Sequence, residues 1–321
     1  MDTALKTHKR KIYYNTAIVL SLLIFITVHS ILIFLGIILH NGLSVINTRA
    51  EFMHYTNVQS RLKHGLETKG WQPVSLNSQF GYVLEGTFIP NPTPSNKTVI
   101  FVHGIAATQA MGLHVLDMYL DRGYNLLIYD SRNHGASGGP CVTWGYYEQY
   151  DLDQWVDWLE KKQPDGVIGV HGVSLGAATA VMHSVLNESS GRVQFYVADS
   201  AYSDLAKLLE QQLAKHTRST HLLWIDILIN YASLVAYIQS DFAYASIRPV
   251  AAMGTVTTPI LYLHGEADTL VPVEMSLELA NATNGYRELH TFPGIKHGRA
   301  VLDSKQEYQA AVAKFLAVIG H

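Results

Sequence analysis

Between Lys11 and Arg49 the chain contains no Asp, Glu, Lys or Arg. The apolar heart of this stretch, residues 16–39, at 1.5 Å rise per residue is long enough to cross a hydrocarbon core of about 30 Å. A basic cluster of Lys6, Lys9, Arg10 and Lys11 precedes it, and Tyr13 and Tyr14 stand where interfacial aromatics are favoured. A cleaved secretory signal has a shorter apolar run and a small-residue exit site. Here the exit reads Leu39-His40-Asn41-Gly42-Leu43. The expectation is an uncleaved transmembrane signal anchor over residues 12–40, behind a basic tail of residues 1–11. Four basic residues before the span, against Arg49 alone just after it, put the N-terminus in the cytoplasm and the rest of the chain outside. His29 and Ser30 lie mid-span, as neutral groups that the bilayer tolerates or that meet a partner helix.

The remainder reads as one folded unit on a spacer. Charged residues are 15% of the 321, against about 25% in an average soluble domain, and the net charge is −3. Together with 48% hydrophobic residues, this excludes a disordered chain and argues against a nucleic-acid binder. One cysteine, Cys141, excludes an internal disulfide and a multi-cysteine metal site. Residues 41–69 are mixed and polar and read as a stalk. Over 70–321, short apolar runs alternate with helix-length segments. Strands are expected at 80–89, 98–102, 125–129, 167–170, 193–198, 259–263 and 287–292. Helices are expected at 108–120, 148–161, 177–186, 274–282 and 304–319. This order means an α/β fold, a mostly parallel sheet with helices on both faces. The alternation breaks over 203–256, which reads as an inserted helical cap with helices at 205–215 and 221–238. The second is apolar nearly all round, Asp226 its only charge. A second membrane span there would leave Ser174 and His297 on opposite sides of the bilayer. Trp224 and its apolar neighbours are expected to line a substrate pocket or to touch lipid, and Tyr202, just before the cap, to line the pocket.

Gly172-Val173-Ser174-Leu175-Gly176 follows one of these strands directly and opens a helix, the context that makes G-x-S-x-G a nucleophile elbow. A serine hydroxyl needs a base, and the chain order for this arrangement is Ser, acid, His. Asp268 follows a late strand and His297 follows the last one, both at carboxyl ends, where open α/β sheets place their sites. Asp199 and Glu266 are rival carboxylates. His103, His171 and His264 each end a strand beside a glycine and read as structural or as supports for the site. An acyl-transfer oxyanion needs two N–H donors. Leu175 supplies one, and the loop His103-Gly104-Ile105-Ala106 the other, Ile105 before Ala106.

These motifs resemble the α/β-hydrolase superfamily over 70–321. A further stretch, Tyr129-Asp130-Ser131-Arg132-Asn133-His134-Gly135-Ala136-Ser137-Gly138-Gly139, is similar to the D-x-R-G-H-G-x-S loop of the serine-aminopeptidase-like and lipase-like group. Asn133 stands where that group has Gly, and Asn tolerates left-handed backbone. With Trp144-Gly145-Tyr146-Tyr147-Glu148 downstream, the chain looks like bacterial single-span, extracytoplasmic hydrolases of that group. The resemblance implies Ser174 as nucleophile, His297 as base and then acid, Asp268 as the orienting carboxylate, and no metal or organic cofactor. The function expected is a membrane-anchored serine hydrolase of carboxylic esters, acting on a small-molecule or acylated, lipophilic substrate. A peptidase or amidase of serine-aminopeptidase or prolyl-oligopeptidase type is the alternative within the class, and a non-catalytic binding protein on the same fold the alternative outside it.

Overall fold

The computed structural model describes residues 2–44, 56–217 and 222–321. In chain order the elements are α1 (Asp2–Ser44), α2 (Thr56–Thr68), β1 (Gln72–Asn77), β2 (Val83–Ile89), β3 (Lys97–Val102), α3 (Leu116–Leu120), β4 (Asn125–Tyr129), α4 (Glu148–Lys162), β5 (Val167–Val173), α5 (Leu175–Asn187), β6 (Val193–Asp199), α6 (Leu205–Thr217), α7 (Leu222–Ser240), β7 (Ile260–Gly265), α8 (Val273–Ala282), β8 (Arg287–Phe292), α9 (Ala300–Asp303) and α10 (Lys305–Val318). The eight strands form one sheet in the order β1-β2-β4-β3-β5-β6-β7-β8. The pairs β1–β2 and β2–β4 are antiparallel and the rest parallel. The expected mostly parallel, helix-covered sheet is therefore present. β1 is the strand that hydrophobic pattern does not reveal: it is a mostly solvent-facing edge strand carrying Pro73, a residue that edges accommodate.

Side chains of the central strands alternate between two cores. Val99 and Phe101 of β3 and Leu126 and Ile128 of β4 meet α2, α3 and α10 on one face. Ile100, Val102, Leu127 and Tyr129 meet α4, α5 and α8 on the other. Both faces are covered, so these strands read as continuous apolar runs.

Part of the expected stalk belongs to this body. Val58 and Leu62 of α2 lie four apart on one helical face and are buried against Trp71 and the first core. The Gln59 amide donates to Thr108 Oγ1 at 2.7 Å. Residues 45–55, with Arg49 and Glu51, lie outside the described residues. The tail also differs from the expected division: residues 2–11 continue α1 without a break.

The long helix α1 is exposed over most of its length, but its last turns dock on the cap. Gly36, His40 and Ser44, four apart, are buried there. A Cβ at Gly36 would lie 2.9 Å from the carbonyl carbon of Tyr231 in α7, so glycine permits the close helix crossing. His40 Nδ1 meets the Tyr244 hydroxyl at 3.0 Å, and the Val142 N–H donates to the Ser44 carbonyl at 2.7 Å. His29 does meet a partner helix, its ring set edge-on to Tyr231. α7 is itself long and apolar enough to span a bilayer, yet it packs on α1 and α6 and buries Ile225, Ile229, Ala232 and Ala236 in the cap core.

This crossing is testable. Gly36→Leu forces α1 off α7, and such overpacking costs about 1–3 kcal/mol. At about 2–4 °C per kcal/mol for a domain of this size, the unfolding midpoint of the full chain in detergent falls by about 2–12 °C. An unchanged midpoint in differential scanning fluorimetry would show that the helices do not pack here.

Candidate active site

Ser174 sits between β5 and α5 at φ +56°, ψ −117°, a conformation that costs a non-glycine residue on the order of 1–3 kcal/mol. Its N–H is held by the Asp199 carbonyl of β6 at 2.8 Å. The turn closes because its flanking glycines have no side chains. A Cβ on Gly172 would stand 2.2 Å from the Gly176 carbonyl oxygen, and one on Gly176 2.0 Å from that of Val102. Ser174 is thereby raised above the carboxyl edge of the sheet.

His297, between β8 and α9, reaches it. Its Nε2 lies 2.8 Å from Ser174 Oγ, and its Nδ1 lies 2.6 Å from Asp268 Oδ2. Asp268, in the loop after β7, accepts the Leu270 and Val271 N–H groups at Oδ1, at 2.8 and 2.9 Å. His264 was legible only as a structural or supporting histidine, and here it faces the same carboxylate. Its Nε2 lies 3.1 Å from Asp268 Oδ2 and 2.9 Å from the Val271 carbonyl, and its Nδ1 2.7 Å from Ser276 Oγ. Two acceptors at Nε2 assign the proton to that nitrogen. Burial pushes the Asp268 carboxyl up, but hydrogen bonds from His264, His297 and the Val271 N–H outweigh it and hold the group well below the usual carboxylate range. The rival carboxylates are engaged elsewhere. Asp199 takes the hydroxyls of Ser200 and Tyr308, at 2.8 and 3.1 Å, and burial raises its pKa. Glu266 accepts from Thr291.

The loop after β3 lies against Ser174, close enough that a Cβ on Gly104 would be 3.3 Å from the serine Cβ. Two buried histidines fix its course. The Ser131 N–H donates to His103 Nε2 at 2.9 Å, so His103 carries its proton on Nδ1 and donates it to the Gly104 carbonyl at 2.7 Å. Similarly, the Ala106 N–H donates to His134 Nε2 at 3.2 Å, while His134 Nδ1 donates to the Arg132 carbonyl. Burial lowers both imidazoles to about 4, which keeps them neutral and able to accept at one nitrogen. The Ala106 N–H is thus committed to His134. Residues 130–137 serve as a scaffold for the loop. Asn133 adopts φ +56°, as the motif requires, and Gly135 is indispensable because a Cβ there would stand 2.1 Å from the Asp130 carboxyl carbon.

Two cavities meet at Ser174. One, about 200 Å³, is bounded by Met111, His114, His297 and Arg299. The other, about 180 Å³, is apolar and bounded by Trp144, Tyr202, Leu208 and Leu43 of α1. Ile105 and Leu270 border both. Tyr202 lies where the sequence placed it, its hydroxyl donating to the Trp144 carbonyl at 2.7 Å. Trp224 is not a pocket wall: it borders neither cavity and lies on the outer face of α7, one residue away from the buried Ile225. A helix apolar all round gives no pattern from which its buried side can be read. Trp144 occupies the wall instead, and its left-handed φ of +55° carries no sequence signal in a tryptophan. The cap is clamped to the acid loop, Gln212 donating to the Leu270 carbonyl and Lys215 to that of Thr269.

A hydroxyl beside an imidazole that is in turn held by a carboxylate can be deprotonated as it attacks a carbonyl carbon. With this geometry, the likenesses to known proteins become informative. The sequence profile of the X-Pro dipeptidyl-peptidase (S15) family matches residues 49–234, a span that holds Ser174 but ends before Asp268 and His297. An uncharacterized protein of Bacillus subtilis is 30% identical over 243 residues, 75% of this chain and 77% of that one. The lysophosphatidylserine lipase of Xenopus tropicalis is 22% identical over 212 residues, 62% of this chain and 50% of that protein. Among solved structures, an esterase of Pyrococcus furiosus superposes with a TM-score of 0.62 at 27% identity, covering 77% of this chain and 90% of that one.

The depressed Asp268 pKa makes a stability prediction. Its hydrogen bonds stabilise the fold fully above the unfolded pKa, about 4, and the contribution fades as pH falls toward the lower folded value. Asp268→Asn removes it. The gap in urea midpoint between wild type and variant is therefore widest near pH 7 and narrows below about pH 4. A gap that is constant from pH 7 to 3 would contradict an ionised, hydrogen-bonded carboxylate.

Proposed function

Because the chain belongs to the X-Pro dipeptidyl-peptidase (S15) family, within the α/β-hydrolase superfamily, we propose that it is a membrane-anchored serine hydrolase cleaving carboxylic esters. The observation that carries this reading is the hydrogen-bonded chain from Ser174 through His297 to Asp268, opening on an apolar cavity. Ser174 Oγ attacks the ester carbonyl while His297 Nε2 takes its proton. The N–H groups of Ile105 and Leu175 receive the oxyanion, Leu175 with the added field of the α5 N-terminus. His297 then protonates the leaving alcohol, and the acyl group stays on Ser174. A water deprotonated by His297 releases it as a carboxylic acid. Asp268 remains ionised throughout, keeping Nδ1 protonated and balancing the imidazolium.

Ester rather than peptide cleavage is supported by the walls. A peptidase that removes dipeptides from an N-terminus has a substrate ammonium to bind, and a carboxylate is the natural partner. No Asp or Glu borders either cavity among the described residues, whereas His114 and Arg299 border one of them. The esterase from Pyrococcus furiosus and the lysophospholipid-cleaving relative point the same way. The family's peptidase description keeps amide cleavage as the second reading. In the domain organisation we propose, residues 12–40 of α1 span the bilayer, the basic tail is cytoplasmic, and the hydrolase body is extracytoplasmic, with α7 of its cap at 203–256 lying along the outer half of the span at His29 and Gly36.

The full chain in detergent reacts with a fluorophosphonate probe, and Ser174→Ala abolishes the labelling. An unlabelled wild type would end the serine-hydrolase reading. Turnover of p-nitrophenyl esters exceeds that of aminoacyl p-nitroanilides; the reverse preference would establish the peptidase. Asp268→Asn lowers ester turnover on the order of 10³–10⁴-fold with the fold intact. Activity near wild type would remove Asp268 from the mechanism.

A further inference from the structure

The cavity at Ser174 does not end at the cap. It shares Leu43, Leu209, Gln212 and His216 with a second chamber of about 170 Å³. That chamber is closed by Leu39 of α1, Leu213 of α6 and Ile229 of α7. The two lie side by side across those shared residues, between Ser174 and the junction of α1 with the cap helices. The polar groups along them are turned to internal duties: Gln212 donates to the Thr269 and Leu270 carbonyls, and His216 Nδ1 meets the Gln212 carbonyl. What remains along the two cavities, Ser174 apart, is apolar or aromatic, mostly leucine and isoleucine with Val271, Trp144 and Tyr202.

The position of this junction matters. α7 crosses α1 at Gly36, and contacts to the body continue to Ser44, so the cap rides on the last turns of the segment read as the membrane span. On its outward side α7 exposes Leu223, Trp224, Ile227, Leu234, Tyr237 and Ile238, an apolar face on a helix that packs against the exposed apolar α1. A surface of that kind beside a transmembrane helix is matched by lipid rather than water.

We propose that α1 is a wall of the substrate channel as well as a tether: long-chain acyl esters pass from the outer leaflet between α1 and α6/α7, and their acyl chain lies along Leu39, Leu43 and Leu209 during attack by Ser174. The proposal rests on the serine-hydrolase reading and names its substrate class. The more polar cavity, toward His114 and Arg299, receives the alcohol portion. Each acyl methylene buried in the channel raises kcat/KM about fourfold, the equivalent of about 0.8 kcal/mol, until the channel is filled.

The test uses the full chain in phospholipid nanodiscs with p-nitrophenyl esters of two and twelve carbons. Wild type favours the twelve-carbon ester in kcat/KM. Leu43→Trp, which blocks the junction of the chambers, lowers the ratio of twelve- to two-carbon kcat/KM at least about tenfold, since several methylenes lose their place. Leu209→Trp narrows the junction from the opposite wall and lowers the ratio likewise, so the proposal does not hang on one variant folding. Leu39→Trp, one helical turn farther from Ser174, lowers the ratio less. If wild type labels with fluorophosphonate and cleaves the two-carbon ester, yet rejects the twelve-carbon ester or keeps its ratio within about twofold in all three variants, the channel is overturned and the hydrolase reading stands. If wild type neither labels nor cleaves either ester, the hydrolase reading falls and the channel with it.

Discussion

The approach of β5 to the start of α5 sets the position of everything above the sheet. The chain reverses there so tightly that Gly172 lies on Gly176, and Gly176 on the carbonyl of Val102 in the neighbouring strand. The strain of Ser174 is held by its N–H bond to Asp199 and by strands packed on both sides. Because the sheet is buried on both faces, the turn has no room to relax, and the hydroxyl stays at a fixed height above the carboxyl edge. Loops after β3, β7 and β8 end at the same edge, so Gly104, Asp268 and His297 converge on it without any long-range adjustment.

Neutral histidines then do much of the positioning. His103 and His134 act as backbone clamps, each accepting from one N–H and donating to one carbonyl, which ties the loop after β3 to the scaffold at residues 130–137. Burial is what suits them to this, since it removes the charged form that would have no nitrogen left to accept. His264 performs the corresponding service for Asp268, donating to the oxygen that His297 also uses. The carboxylate is anchored by two backbone N–H groups and two imidazoles, which fixes its plane and with it the proposed base.

The parts that were legible were those imposed by backbone sterics and periodicity. The elbow needs small residues two either side of a serine after a strand, and only a few residue types satisfy that. Asp268 and His297 were legible because strand ends in a parallel sheet point to one edge. Trp224 could be read either as a pocket wall or as lipid-facing because α7 is apolar all round: one side of it packs on α1 and α6, the other is exposed, and nothing in its composition separates the two. β1 escaped because its packed face is only two residues long: Val74 and Leu76 alternate with exposed neighbours and are half-buried, too short a pattern to separate from a loop. The stalk at 56–68 was absorbed into the body because Val58 and Leu62 make a weak apolar stripe whose partner, Trp71, comes after the helix.

The sequence by itself determined an apolar N-terminal helix long enough for a bilayer and an alternating α/β body, since both follow from the period of hydrophobic residues; the order of serine, acid and histidine was implied by the resemblance of its motifs to α/β hydrolases. Only the tertiary structure decided which carboxylate faces His297, which histidines hold the loops, and that Leu43 of the N-terminal helix borders the cavity at Ser174. Those outcomes depend on which surfaces meet when elements far apart in the chain pack, and no local pattern encodes the meeting of residue 43 with residue 209.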